Sequence, residues 1–165
     1  MSYNCNIKCR TFVIIKGIKM AVSNILEKRI QYRIKKSTDF VFMLPDFLDL
    51  SDRDQVMRAL RKLISKGLII KVGQGVYVKA EKSILSGKII PQISLTEIGK
   101  AVAKKLKLKV IPNKYEVWYN EGKTTQVPTG NVISVLGRIN RKISFNGVYI
   151  KYETVRNKAK YYKYN

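Results

Sequence analysis

The sequence predicts an α+β fold, with an N-terminal winged helix-turn-helix followed by a small mixed α/β C-terminal domain. Three observations predict it. An amphipathic helical pattern, "DRDQVMRALRKLISK", runs directly into "GLIIKVGQGVYVK", two short apolar runs around a Gly-Gln-Gly turn. Two shorter helical patterns and a β-prone run precede it, so the order over residues 20–92 is helix, strand, helix, helix, hairpin. Cations outnumber anions throughout: Lys+Arg 33 against Asp+Glu 11 gives a net charge of +22, spread along all 165 residues.

The first helix is expected in "SNILEKRIQYRIKK", where Ile25, Leu26, Ile30 and Ile34 recur at helical spacing and Ser23 stands at the N-cap. "TDFVFMLPDFLDLSD" opens as a strand and turns into a short helix at Pro45, whose missing N–H costs nothing at a first helical position. That helix carries Phe47 and Leu48. Ser51 is placed to cap a third helix from about Asp52 to Lys66, with Asp52 and Asp54 in its first turn, where the helix dipole favours negative charge. Val56, Ala59, Leu60, Leu63 and Ile64 form its apolar stripe, and Arg58, Arg61, Lys62 and Ser65 project from the other side. Gly67 ends it in the left-handed conformation that glycine adopts without strain. Two strands follow, with Val76 and Val78 alternating after the glycine turn.

The second unit, residues 93–165, begins after a loop around "SGKIIPQ". Ser94 and Glu97 make a capping box for a helix whose Leu95, Ile98, Val102 and Leu106 line one face. "KVIP" reads as a strand, and Pro112 opens a short helix holding Tyr115 and Trp118. "NVISVLG" and "RKISFNGVYIKYE" are strands, the latter folded at Asn146-Gly147 into a two-residue hairpin that sets Phe145 opposite Val148 and Ile143 opposite Ile150. The basic, tyrosine-rich "RNKAKYYKYN" ends the chain as a frayed terminus, or as a segment that stacks on bases and clamps phosphates.

Residues 1–19 read as a basic extension ahead of a second plausible start at Met20, with little role in the fold. No run of about 18 apolar residues is present, so no spanning helix is expected, and the protein reads as cytoplasmic. Cys5 and Cys9 would supply half of the four ligands of a structural zinc site, and the chain has no histidine. They read as incidental thiols, and no metal or other cofactor is expected. "GKTT" at Gly122–Thr125 is not a phosphate loop, because the glycine required five residues earlier is Val117. Without histidine, the commonest general base is missing. The one dense acidic group, Asp46, Asp49, Asp52 and Asp54, has the spacing of caps and turns. Enzymatic activity is therefore not expected.

The charge points to a polyanion, because Lys and Arg that neutralise phosphates release condensed counterions and supply most of the sequence-independent affinity. Double-stranded DNA is the expected partner. Base contacts are assigned to Ser51, Arg53, Gln55 and Arg58 on the third helix, since Arg reaches guanine O6 and N7 and Gln pairs with adenine. Backbone and hairpin contacts are assigned to Arg61, Lys62, Lys71, Gln74, Tyr77 and Lys79.

Within this stretch, "LSDRDQVMRALRKLISKGLIIKVGQGVYVK" resembles the N-terminal winged-helix domain of AbiEi-type antitoxins and related antitoxin-like regulators. Ser51, Arg53, Val56, Ala59, Leu60, Leu63, Gly67, Gly75, Val76 and Tyr77 fill the shared pattern in order. "LTEIGKAVAKKLKLKVIPN" and "TTQVPTGNVISVLGRINRKISFNGVYIKYE" look like the segments that follow in the related group, extending the resemblance over about residues 21–153. The resemblance implies a bacterial DNA-binding regulator that represses its own operon and, in complete systems, counteracts a nucleotidyltransferase-like toxin encoded beside it. Two positions depart from the pattern: Gln74 stands where an Arg is usual, and Ala80 where Pro is frequent. Two alternatives stay open, a protein-interaction module directed at such a toxin and an RNA binder that uses the tyrosine-rich tail.

Overall fold

The computed structural model describes residues 24–127 and 130–157. The expected Ser23 cap, the extension 1–19 with its cysteines, and nearly all of the tyrosine-rich tail lie outside the described residues. Helix α1 covers residues 24–36, followed by β1 (Val41–Met43), a 3-10 turn (Leu44–Phe47), α2 (Arg53–Ser65), β2 (Ile69–Gly73) and β3 (Val76–Lys82). Then come β4 (Ile89–Pro91), α3 (Leu95–Lys105), β5 (Lys109–Ile111), α4 (Lys114–Asn120), β6 (Val132–Leu136), β7 (Ile143–Phe145) and β8 (Val148–Val155). The protein is thus α+β, with helices packed on an eight-stranded sheet of order β1-β3-β2-β7-β8-β6-β5, and β4 added on β3.

Strand alternation explains the two cores. On β1 and β3, Phe42 and Tyr77 point to one face, while Val41, Met43, Val76 and Val78 point to the other. The first face is covered by Leu26, Ile30 and Ile34 of α1, Phe47 of the 3-10 turn, and Val56, Ala59, Leu60 and Leu63 of α2. The second is covered by Ile98, Val102 and Ala103 of α3, together with Ile133, Val135, Ile143 and Ile150 from the later strands. This second core draws on residues from both sides of position 92.

Local signals set the helix ends. At the end of α2, Gly67 has φ +70°, its N–H donates to the Ile64 carbonyl at 2.9 Å, and the Leu68 N–H donates to Leu63 at 3.1 Å. This pair of bonds satisfies carbonyls that the helix leaves open. The capping box of α3 forms as expected, with the Glu97 N–H donating to Ser94 Oγ at 3.2 Å and the Ser94 N–H to Glu97 Oε2 at 3.0 Å. Asn146 (φ 49°) and Gly147 (φ 80°) form the β7–β8 turn, with the expected pairs Phe145↔Val148 and Ile143↔Ile150.

Several expectations are corrected. The N-cap of α2 is Asp52, not Ser51, and its side chain makes no capping hydrogen bond. Ile25 is 59% exposed, because α1 turns Leu26 and Glu27 inward instead. Pro112 precedes α4 without opening it; Asn113 is the cap, accepting from the Glu116 N–H at 2.9 Å. The loop around "SGKIIPQ" holds β4, paired with Ala80–Lys82. The acidic cluster 46–54 keeps its expected cap role at Asp46, which accepts from the Met43 N–H at 2.9 Å, and also makes structural ties: Arg33 makes a fork to Asp49 at 2.6 and 2.7 Å, and Lys105 of α3 reaches Asp46 at 2.9 Å and Asp39 at 3.4 Å. Among the described residues, no helix is long and apolar enough to cross a membrane.

Candidate nucleic-acid interface

Helix α2 buries Val56, Ala59, Leu60 and Leu63 and leaves Arg53, Asp54, Arg58, Arg61, Lys62 and Ser65 exposed. At 3.6 residues per turn, Gln55, Arg58, Arg61 and Lys62 lie within an arc of about 120°, whereas Arg53 lies about 140° from Arg58. Ser51 and Gln55 are half-buried. The four expected base readers therefore do not share one face: Gln55 and Arg58 neighbour each other at i and i+3, Arg53 stands to one side, and Ser51 precedes the helix.

The other edge of this face meets α1. Glu27, 5% exposed, is an ion partner of Lys66 and lies 3.9 Å from Lys62 Nζ. Lys62 thus has a carboxylate to hold it against α1, while Arg58 and Arg61 form the outward cationic pair. Asp54, one turn before Arg58, is the acidic group on the same face.

The hairpin β2–β3 turns at Gln74–Gly75, with Gly75 at φ +67°. Lys71 pairs with Tyr77 across the ladder, so the two side chains share the sheet face on which α2 packs. Lys71 is exposed, as expected of a phosphate contact, but Tyr77 is 5% exposed and part of the core beneath α2. Burial raises the Tyr77 phenol above its ordinary value, and the nearby Arg61 charge pulls the other way. The expectation that Tyr77 contacts a partner is corrected: alternation puts it on the face opposite Val76 and Val78, and α1 and α2 cover that face. Lys79 is also redirected. Its Nζ donates to the Ser37 carbonyl at 2.6 Å and lies 5.4 Å from the Phe40 ring centre, tying β3 to the loop after α1.

Gln74 is exposed, and its backbone carbonyl accepts from Arg141 Nη1 at 2.8 Å. Gly73 pairs with Ile143 of β7. Sequence reasoning missed this neighbour, because nothing local announces a pairing between residues 70 apart; the one available signal was the cationic group Arg138, Arg141 and Lys142 in "GRINRK".

Fold and surface together define a strongly basic α+β protein that carries outward guanidinium groups on one helix beside a lysine-bearing hairpin. Residues 25–162 match the family of unknown function DUF6088, and the chain belongs to that family. No curated protein and no solved structure matches the chain significantly.

Proposed function

We propose that the protein is a sequence-specific binder of double-stranded DNA that acts as a transcriptional regulator, with residues 24–82 serving as a winged helix-turn-helix. In this reading α2 enters the major groove and the β2–β3 hairpin lies along the backbone. The observation that carries it is the exposed Arg58–Arg61 pair on α2, beside Lys71 on the same side of the sheet, in a chain of net charge +22. Arg58, with Gln55 beside it, reads base edges. Arg61 and Lys71 bind phosphates, and Arg53 contacts the backbone at the helix start. The resemblance to AbiEi-type antitoxins extends the proposal to repression of the protein's own operon.

The test is a competition between the duplex upstream of the protein's own coding region and a mixed-sequence duplex. Arg58→Ala lowers the preference by about 1–3 kcal/mol, the worth of one bidentate base contact. Lys71→Ala weakens both duplexes alike and lowers the slope of log K against log salt by about 0.9, one phosphate's worth. A preference unaltered by Arg58→Ala overturns the groove assignment, and absence of salt-dependent duplex binding overturns the whole proposal.

One observation favours a second reading, a protein-interaction module. Ile84 and Leu85, at the β3–β4 turn, are 101% and 100% exposed. An apolar pair held on an ordered turn suits insertion into a pocket of a partner protein, and a toxin encoded nearby is the partner that the antitoxin resemblance implies.

A further inference from the structure

The tip of the β2–β3 hairpin is built from two distant segments. Residues 73–75 supply backbone: Gly73 and Gly75 carry no side chain, and Gln74 carries no charge. The segment between β6 and β7 supplies the cations. Arg141 donates to the Gln74 carbonyl at 2.8 Å, and a Cβ placed on Gly75 would lie 3.9 Å from Arg141 Nη1. The Lys142 carbonyl lies so close to Gly73 that a Cβ there would meet it at 2.7 Å. Glycine at 73 is what lets β7 approach, and the approach is what delivers Arg141 to the turn.

Among the described residues, neither Arg141 nor Lys142 belongs to an ion pair. A guanidinium has five N–H donors in a rigid fork that matches phosphate geometry. One of them is committed to the Gln74 carbonyl, which holds the side chain at the tip and reduces the rotamer freedom that binding would otherwise remove.

We infer that Arg141 is a phosphate-binding residue of the hairpin tip, so that the C-terminal half of the chain adds charge at the tip to that of Lys71 on the hairpin's own strand. This rests on the duplex-DNA reading above. It accounts for an uncharged Gln74: the guanidinium arrives from the segment that precedes β7 instead of from the turn itself.

The alternative is that Arg141 only braces the turn, and charge separates the two roles. In the full-length chain, Arg141→Gln keeps an N–H donor for the Gln74 carbonyl and removes the charge, whereas Arg141→Lys keeps the charge. Binding to a short mixed-sequence duplex is measured over a salt series, with the thermal midpoint of each variant recorded. The inference expects Arg141→Gln to lower the slope of log K against log salt by about 0.9. It also expects Arg141→Lys to keep the wild-type slope, and Gln74→Arg added to Arg141→Gln to restore it. An unchanged slope in Arg141→Gln, with steep salt dependence in the wild type, makes Arg141 a brace and overturns the inference while the duplex reading stands. A wild type that binds duplex without salt dependence overturns both.

Discussion

The approach of β7 to the hairpin can be tested by adding one methyl group. In Gly73→Ala the new Cβ would lie 2.7 Å from the Lys142 carbonyl oxygen, where ordinary contact begins at 3.4 Å. The two strands must open by the difference, about 0.7 Å, and the obstacle is backbone, which cannot rotate aside as a side-chain end could. Nor can β7 retreat easily, because Ile143, the residue paired with Gly73, is fully buried among Val72, Val76 and Ile150. Overpacking against an immobile neighbour costs about 1–3 kcal/mol. For a chain of this length each kcal/mol lowers the thermal midpoint by about 2–4 °C, so the expected drop is about 2–12 °C. Calorimetry or circular dichroism gives the midpoint, and amide exchange at residues 73 and 143 localises the damage. A variant within about 0.5 kcal/mol of wild type, with protection at both amides intact, would refute the close approach and with it the placement of Arg141.

Two further outcomes are expected. The Tyr152 hydroxyl donates to the Gly99 carbonyl at 2.8 Å, and burial pushes its pKa up to about 12, so the neutral phenol is favoured in the folded chain. The stabilisation is complete below the unfolded value near 10 and is lost as pH rises through about 12. Tyr152→Phe therefore costs about 1 kcal/mol at neutral pH and loses less stability than wild type between neutral pH and pH 11 in chemical denaturation. Parallel profiles would refute the assignment. At the β3–β4 turn, the double substitution Ile84→Ser and Leu85→Ser should leave stability within about 0.5 kcal/mol of wild type and duplex affinity unchanged, since both side chains are fully exposed. On the protein-interaction reading it abolishes capture of a toxin encoded nearby; retained capture would rule out the apolar turn as the docking element.

Features governed by a few adjacent residues were legible in the sequence. Gly67 ends α2, Ser94 and Glu97 cap α3, and Asn146-Gly147 fixes the register of β7 and β8, because each depends on dihedral preference or on a hydrogen bond within a turn. The apolar stripe of α2 was legible for the same reason, since helical periodicity alone separates its inward from its outward side chains. Asp52 and not Ser51 occupies the cap of α2, an ambiguity inherent in a Ser-Asp pair directly before the helix start. What stayed hidden were pairings across long separations: β6 beside β8 in parallel, and β2 beside β7. Strand pattern shows which face is apolar but not which strand will lie alongside. Tyr77 illustrates the same limit: its aromatic and polar character suited a surface contact, and only the helices over that face decide that it is core. The candidate interface was legible where a helix face exposes it, at Arg58 and Arg61, and illegible where tertiary contact positions a side chain, at Lys79 and Arg141.

The sheet in which β2 meets β7 also has a thermodynamic consequence. β8 pairs antiparallel with β7 through Val148–Ile150 and parallel with β6 through Lys151–Val155, so this one strand links the side of the sheet that ends at β5 to the hairpin. A ligand at the β5 edge changes the affinity of the hairpin for its own ligand only where both bind one placement of β7 more tightly than another. By linkage, occupancy at the hairpin changes affinity at that edge by the same factor.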